Sequence, residues 1–416
     1  MCSTSESLLR EGLMTLSPAR LPGAGPTGTS GVRRLAVTLY GYAFLDDFVL
    51  LYPVYALLFS DTGLSIWQVS SLFALWSITG IVLEVPSGAW ADAVSRRLLL
   101  WLGPLLTAVG FALWVIVPSY GAFALGFVLW GVRGALGSGS LEALVYDELD
   151  RLGAADRYAR VIGRAQAVGM VAVMAAMGLA GPVLDFGGYP AVGAASVLVC
   201  VLTAAVATRF PERREKAARS GERVTTLITL RTGLVEARRD RSVRGALLLV
   251  PAVGAVWGAL DEYTPLLVRD TGVADRTVPL LLLLIYAGPT IGSLLTGVGE
   301  RLGRAGLGGV LAGSALAMAV GAMAGNPVGV ALVGVAFGGF QFVDVLADAR
   351  LQDRIEGPRR ATLTSVASMG TELATVAVFG AYALVAASHA HGTAFALFAV
   401  PYLVTALVRV NRRWCG

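Results

Sequence analysis

The sequence predicts an all-α polytopic membrane protein with twelve transmembrane helices in two pseudo-symmetric six-helix bundles. Three observations predict it. Hydrophobic residues make up 56% of the 416 and charged residues only 15%, with a mean hydropathy of +0.69. That leaves too little polar surface to coat a water-soluble core, so the bilayer must be the solvent for much of the chain. About 20 helical residues cross the ~30 Å hydrocarbon core, and apolar segments of that length recur from end to end. One long polar interval, 209–244, divides them into two sets of six.

In order, the first set reads 34–59, 67–91, 98–117, 121–146, 161–184 and 189–208. The second reads 245–268, 278–299, 306–325, 327–349, 362–387 and 392–408. The domain organisation follows: a cytoplasmic tail over 1–33, a bundle over 34–208, a basic loop over 209–244, a bundle over 245–408 and a tail over 409–416. Residues 1–33 are rich in Ser, Gly, Pro and Thr and lack a short apolar core ahead of a small-residue cleavage site. They read as a disordered tail, with Met14 as an alternative start.

All but three of the 33 Lys and Arg residues fall in the tails and in loops of one face. Arg269 and Arg276 lie on the other face and Arg133 within the membrane, so the positive-inside rule makes both termini cytoplasmic. Topology thereby accounts for the net charge of +5, and no nucleic-acid partner is required. Lys216 is the single lysine, and with abundant Ala, Gly and Val this points to a GC-rich bacterial genome and the plasma (inner) membrane. Cys2 and Cys415 fall in the tails and Cys200 in the sixth segment, so no disulfide outside the cytoplasm can be drawn.

The halves echo one another. Asp61-Thr62-Gly63-Leu64 follows the first segment and Asp270-Thr271-Gly272-Val273 the seventh, each after a proline, Pro53 and Pro265. The second segment exits through Gly88-Ala89-Trp90-Ala91-Asp92-Ala93-Val94-Ser95-Arg96-Arg97, the eighth through Thr296-Gly297-Val298-Gly299-Glu300-Arg301. Internal duplication explains both.

Two six-helix halves carrying the same cytoplasmic turn resemble the major facilitator superfamily, over nearly all of 34–408. Glu84-Val85-Pro86-Ser87-Gly88, with Gly137-Ser138-Gly139-Ser140-Leu141-Glu142 and the run to Asp147, looks like a bacterial multidrug-efflux branch. The stretch Gly169 to Gly178, then Gly181-Pro182 and Gly187-Gly188, resembles the antiporter signature of proton-coupled exporters, with its last glycines spaced differently. The resemblance implies a cytoplasmic clasp made by Gly88, Asp92 and Arg96 or Arg97. It also implies that Arg133, on a fourth segment resembling the antiporter arginine motif, meets a membrane carboxylate, and that segments 1, 4, 7 and 10 line a central cavity.

The residues themselves point the same way. A carboxylate at bilayer depth marks function by default, and Asp46 and Asp47 sit side by side in the first segment. Neighbours on a helix lie about 100° apart, so one aspartate faces the cavity and the other the packing beside it. Tyr42, one turn before Asp46, favours that residue slightly. Arg133 must find a partner. Asp261 and Glu262, near Trp257 and Tyr263, offer acids beside an aromatic wall for a lipophilic cation, or solvated caps at an external vestibule. Glu372 serves either coupling or an interhelical hydrogen bond. Glu84, Glu142, Asp147, Asp344 and Asp348 lie towards the cytoplasmic ends, where gating pairs with Arg151, Arg160, Arg350 or Arg354 compete with plain solvation.

Surplus acid favours protons and cations over anions. The expected function is therefore secondary active transport: proton-coupled efflux of a small lipophilic cationic or zwitterionic compound. A proton symporter or facilitator importing a nutrient is the alternative, and a non-transporting sensor or scaffold a further one. The expected partners are the substrate, protons and lipid, with the chain acting as a monomer. No cofactor is implied. A lysine-bearing phosphate loop and a nucleophile–base set are both missing, so the chain is not expected to be an enzyme. His389 and His391, in the short loop between segments 11 and 12, read as surface polarity rather than a metal site.

Overall fold

The structure, a computed structural model, describes residues 26–93, 95–137, 139–211, 253–299, 301–354 and 359–411. Most of the expected loop 209–244 and most of the two tails lie outside the described residues. The first half comprises α1 (Pro26–Asp47), α2 (Tyr55–Asp61), α3 (Ile66–Ala93), α4 (Arg96–Ile116), α5 (Tyr120–Gly137), α6 (Ser140–Arg151) and α7 (Tyr158–Ala207). The second comprises α8 (253–261), α9 (Thr264–Arg269), α10 (Val278–Leu294), α11 (Thr296–Gly299), α12 (Arg304–Met323), α13 (Pro327–Arg354), α14 (Arg359–Ala386), α15 (His391–Phe398) and α16 (Val400–Asn411). Among the described residues there is no strand, and eight helices are long and apolar enough to cross a membrane. One of these stretches, 155–207, reverses at Gly187-Gly188, where the backbone leaves helical geometry. It therefore supplies both the fifth and sixth expected segments.

The first expected segment differs from a single helix over 34–59. Its helix is described from Pro26, inside the expected tail, to Asp47; irregular backbone follows to Val54 before α2. Pro53 lies in that irregular stretch, where it has no N–H to give and restricts the residue before it. Irregular backbone at membrane depth must find partners inside the protein. Here the Leu51 N–H is taken by Ser196 Oγ at 3.0 Å, across from the sixth segment. The seventh segment repeats the design, with α8 ending at 261 and Pro265 opening α9.

The fourth expected segment also breaks, between α5 and α6, where Gly139 takes a positive φ of 67° that a residue with a Cβ would resist. Lipid offers no hydrophobic drive for helices to associate, so contact rests on packing and small residues. Gly288 and Gly292 of α10 meet Gly334 and Gly338 of α13 so closely that a Cβ on Gly338 would lie 2.7 Å from the Gly288 carbonyl oxygen. In the first half the fill is aromatic. Phe59, Trp114, Phe123 and Phe127 are fully buried around Tyr55. The halves meet along α3 with α14 and α7 with α10.

Candidate functional site

At the break in the first segment, Asp46 forms an ion pair with Arg133 of α5. Their side chains keep 25% and 18% of their surface accessible. The pair therefore borders open space while remaining largely withdrawn from water. Tyr52, in the irregular stretch, lies near Arg133 and stacks on Trp130, ring centroids 5.1 Å apart and planes 3° from parallel. Trp130 stacks in turn on Trp76 of α3 at 5.0 Å. The result is a half-exposed aromatic wall drawn from three segments, beside an acid–base pair.

Asp47 turns away from Arg133 and lies against Gly169 of α7, so closely that a Cβ there would strike its carboxylate. The glycine-rich fifth segment thus makes room for the second aspartate. Tyr42, one turn before Asp46, is buried: its hydroxyl donates to the Leu100 carbonyl at 3.4 Å and its ring meets Phe210 edge-on.

In the second half, Asp261 accepts a hydrogen bond from Tyr286 of α10 at 3.1 Å. Tyr286 lies within electrostatic reach of Tyr52. Polar groups of both halves therefore lie towards one region, Asp46, Arg133 and Tyr52 from the first and Tyr286 and Asp261 from the second. Glu262 follows Asp261 with no ion pair to a described residue. Trp257 packs on Phe337, and its backbone N–H donates to Tyr402 Oη at 2.8 Å while that hydroxyl donates to the Val253 carbonyl at 2.8 Å. Tyr263 is fully buried, its hydroxyl 2.6 Å from Ser70 Oγ of the first half and its ring stacked on Tyr382 at 3.7 Å. It stands in the joint between the halves rather than in a half-exposed wall like that of Tyr52.

Asp344 on α13 packs against Gly254 and holds one buried carboxylate oxygen, Oδ1, without a hydrogen-bond partner; the Trp257 indole N–H is a second buried group in that condition. Asp348 is exposed one turn on. Glu372 is half-buried on α14 and already engaged by another group.

Of the expected gating residues, Asp147 pairs with Arg96, while Arg151 pairs with Glu148 on its own helix. Arg151 is thus not the partner of any of the acids expected to gate. The difference arises because Arg151 and Glu148 share a helix face, which brings them together first. Arg97 is engaged and Glu142 is exposed. The side chains of Glu84, Gly88 and Asp92 lie outside those described, as do those of Arg350 and Arg354.

The opposite face carries ion pairs that sequence reasoning passed over. Arg269, at the end of α9, pairs with Asp61 of the first half at 2.7 Å and with Asp275 at 2.9 Å. Tyr189 donates to Asp61 at 2.6 Å, and Arg276 meets Asp185 at 3.4 Å. These bonds clasp the halves together at that face. Partial burial does not loosen Arg269: bonding to the two aspartates outweighs desolvation and holds its guanidinium more firmly charged than usual. The signal was in the sequence: Asp61 opens the repeated Asp-Thr-Gly turn, and Arg269 precedes its second copy. Tyr52, Trp76, Trp130 and Tyr286 were also missed. Trp130 lies one turn before Arg133, and that spacing was its only trace. Near His391, the Tyr382 hydroxyl lies 2.7 Å from Nδ1. Among the described residues no three His, Cys, Asp or Glu side chains group as a metal would require.

A helical membrane protein in two joined halves, with a charged pair at a broken helix and a clasp at one face, has the build of a multi-pass transporter. The family model of the Major Facilitator Superfamily matches residues 37–377, and the chain belongs to that family. Among curated proteins none matches the sequence. Solved structures of similar fold include a mutant form of the nucleoside transporter NupG, at 13% identity and a TM-score of 0.76, covering 91% of this chain and 99% of that one. A D-xylose-proton symporter matches at 16% identity and 0.63, over 91% and 96%. A bacterial homolog of the human lysosomal transporter Spinster, inward-facing and unoccupied, matches at 17% and 0.64, over 93% and 95%.

Proposed function

We propose that the chain exchanges protons for a small lipophilic cationic or zwitterionic compound by alternating access. It moves the compound out across a bacterial plasma membrane, acting as a monomer with both termini cytoplasmic. The observation that carries the reading is the Asp46–Arg133 pair at the helix break, with the Tyr286–Asp261 hydrogen bond of the other half near Tyr52.

The chemistry follows from charge. Protonating Asp46 removes the charge that holds Arg133, and a withdrawn guanidinium must then find another acceptor. Occupancy by a proton is thereby tied to rearrangement around the break. A lipophilic cation suits the same place: the stacked faces of Tyr52, Trp130 and Trp76 take its body, and Asp47, Asp261 and Glu262 its charge. Proton and substrate then compete for one pool of negative charge, which is the basis of exchange. Asp344 on α13 adds further acid, as does Glu372 on α14, which another group already engages. The Asp61–Arg269 clasp closes the outer face in this state; the turn at Gly88, Asp92, Arg96 and Arg97, its Arg96 already tied to Asp147 within the first half, closes the inner face in the other by meeting the second half.

The test is uptake of a panel of lipophilic cations into inverted vesicles energised by a proton gradient. Wild type should accumulate a compound, collapse of the gradient should stop it, and the Asp46→Asn, Asp47→Asn double variant should not accumulate it. Uptake unchanged in that variant, or no cation moved at all, would sink the exporter reading. Uptake into right-side-out vesicles instead would favour the importing symporter.

A further inference from the structure

We infer that the first half carries a second site, at the face where α4 begins and α6 ends, built to take a phosphoryl group. A cavity of about 520 Å³ lies between the starts of α1 and α4 and the ends of α6 and α7. Arg34, Arg97, Arg151 and Arg209 line it, each from a different element, and Glu148 is the one acid in the lining. Glu148 pairs with Arg151. Arg34 and Arg209 are exposed and make no ion pair with a described residue. Four guanidinium groups therefore line one concavity; Arg151 is paired with Glu148 and Arg97 is engaged by another group, and Arg34 and Arg209 present their charge at its rim.

Topology alone does not ask for this. Basic residues that only orient the chain can lie anywhere on the face, as Arg157 and Arg160 do, exposed and outside the cavity. Converging arginines instead suit a ligand with several charged oxygens, since the planar fork binds phosphate oxygens in pairs. The start of α4, beside Arg97, adds the positive end of a helix dipole. The floor is apolar: Leu35 and Phe210 are 5% and 1% exposed. A basic rim over an apolar floor, at the edge of the bilayer, matches the phosphate and glycerol of an anionic lipid. A free phosphate compound carries the same chemistry. The site is separate from Asp46 and Arg133 and stands whether or not the exchanger reading holds.

The test uses the purified full chain in detergent, with binding read by native mass spectrometry and by thermal unfolding. The probes are phosphatidylglycerol, phosphatidylcholine and inorganic pyrophosphate. Wild type should bind phosphatidylglycerol or pyrophosphate in preference to phosphatidylcholine. Arg34→Gln with Arg209→Gln should weaken that binding about tenfold or more, while Arg157→Gln with Arg160→Gln should leave it nearly unchanged. Selective loss for the lipid identifies a headgroup site, and selective loss for pyrophosphate a soluble ligand. Equal losses in the two variants, or no preference in wild type, overturn the site. Should the first variant misfold, Arg34→Lys with Arg209→Lys keeps the charge and removes the fork, and a weakened, still selective binding is then expected.

Discussion

The two halves share a skeleton and differ in what they place at its centre. Both break the first of their six helices near a proline, and both end it in an Asp-Thr-Gly turn. Counted back from those turns, Asp261 of the second half falls where the first half has Tyr52. In the first half the acid is matched by a base, Asp46 with Arg133, and walled by stacked aromatics. In the second, Asp261 is held by a tyrosine hydroxyl, Glu262 has no described counter-charge and Asp344 keeps an oxygen without a partner. On one frame, the first half sets a centre whose acid holds a base against a second whose acids hold none. A centre whose base must be re-paired can sense a proton; an acid-rich one is suited to attract a cation.

The comparison breaks most directly at Arg133. Removing one member of a withdrawn ion pair costs about 3–5 kcal/mol, so Arg133→Ala should lose both thermal stability and gradient-driven flux. Arg133→Gln with Asp46→Asn should regain stability without flux. If the double variant still couples to the gradient, the first half is not the proton sensor. Next comes Gly169→Val, whose side chain occupies the space of the Asp47 carboxylate. Flux should fall at least tenfold, whereas Gly163→Val, where an added Cβ meets nothing within contact range, should be tolerated.

In the second half, Asp261→Asn leaves no base stranded. It should spare stability and gradient coupling and weaken substrate affinity, read as a raised KM with kcat nearly kept. A coupling defect instead would erase the division of labour between the halves. Arg269→Gln tests the clasp. Exposed pairs are worth roughly 0–1 kcal/mol and hydrogen bonds to charged groups about 1.5–3, so the face should open several-fold more often. Alkylation of Ser70→Cys, at the joint with Tyr263, in a Cys2→Ser, Cys200→Ser, Cys415→Ser background measures it, and an unchanged rate would remove the clasp from the transport cycle. The smallest effect belongs to Tyr402→Phe, which strips one donor and one acceptor from the α8 backbone. A loss of about 1–3 kcal/mol should appear as a lower Tm with substrate affinity unchanged.

Reading the sequence reached the twelve-segment plan, the duplication, the acid pair at Asp46-Asp47 and the demand of Arg133 for a carboxylate. Each follows from local chemistry: apolar length against bilayer thickness, repeated turns, and the cost of lone charge in lipid. It did not reach the break after Asp47 as a break, although Pro53 was in plain view. A proline says only that an N–H is missing; whether the helix kinks or unwinds depends on partners such as Ser196, 145 positions away. Tyr263 was read as a wall residue because it follows Glu262, yet the turn before α9 carries it into the joint with Ser70.

What the sequence determined by itself is the solvent, the all-helical plan of apolar segments and the kinds of charge that must meet within them, since those depend on composition and spacing along one chain. Only the tertiary structure decided which aspartate holds Arg133, which lies on Gly169, which aromatic rings stack beside them, and that Arg269 closes one face on Asp61. Those choices depend on helix rotation and on contacts between the halves. Helix rotation is set by the packing of all neighbours at once, and that information is distributed over the whole chain.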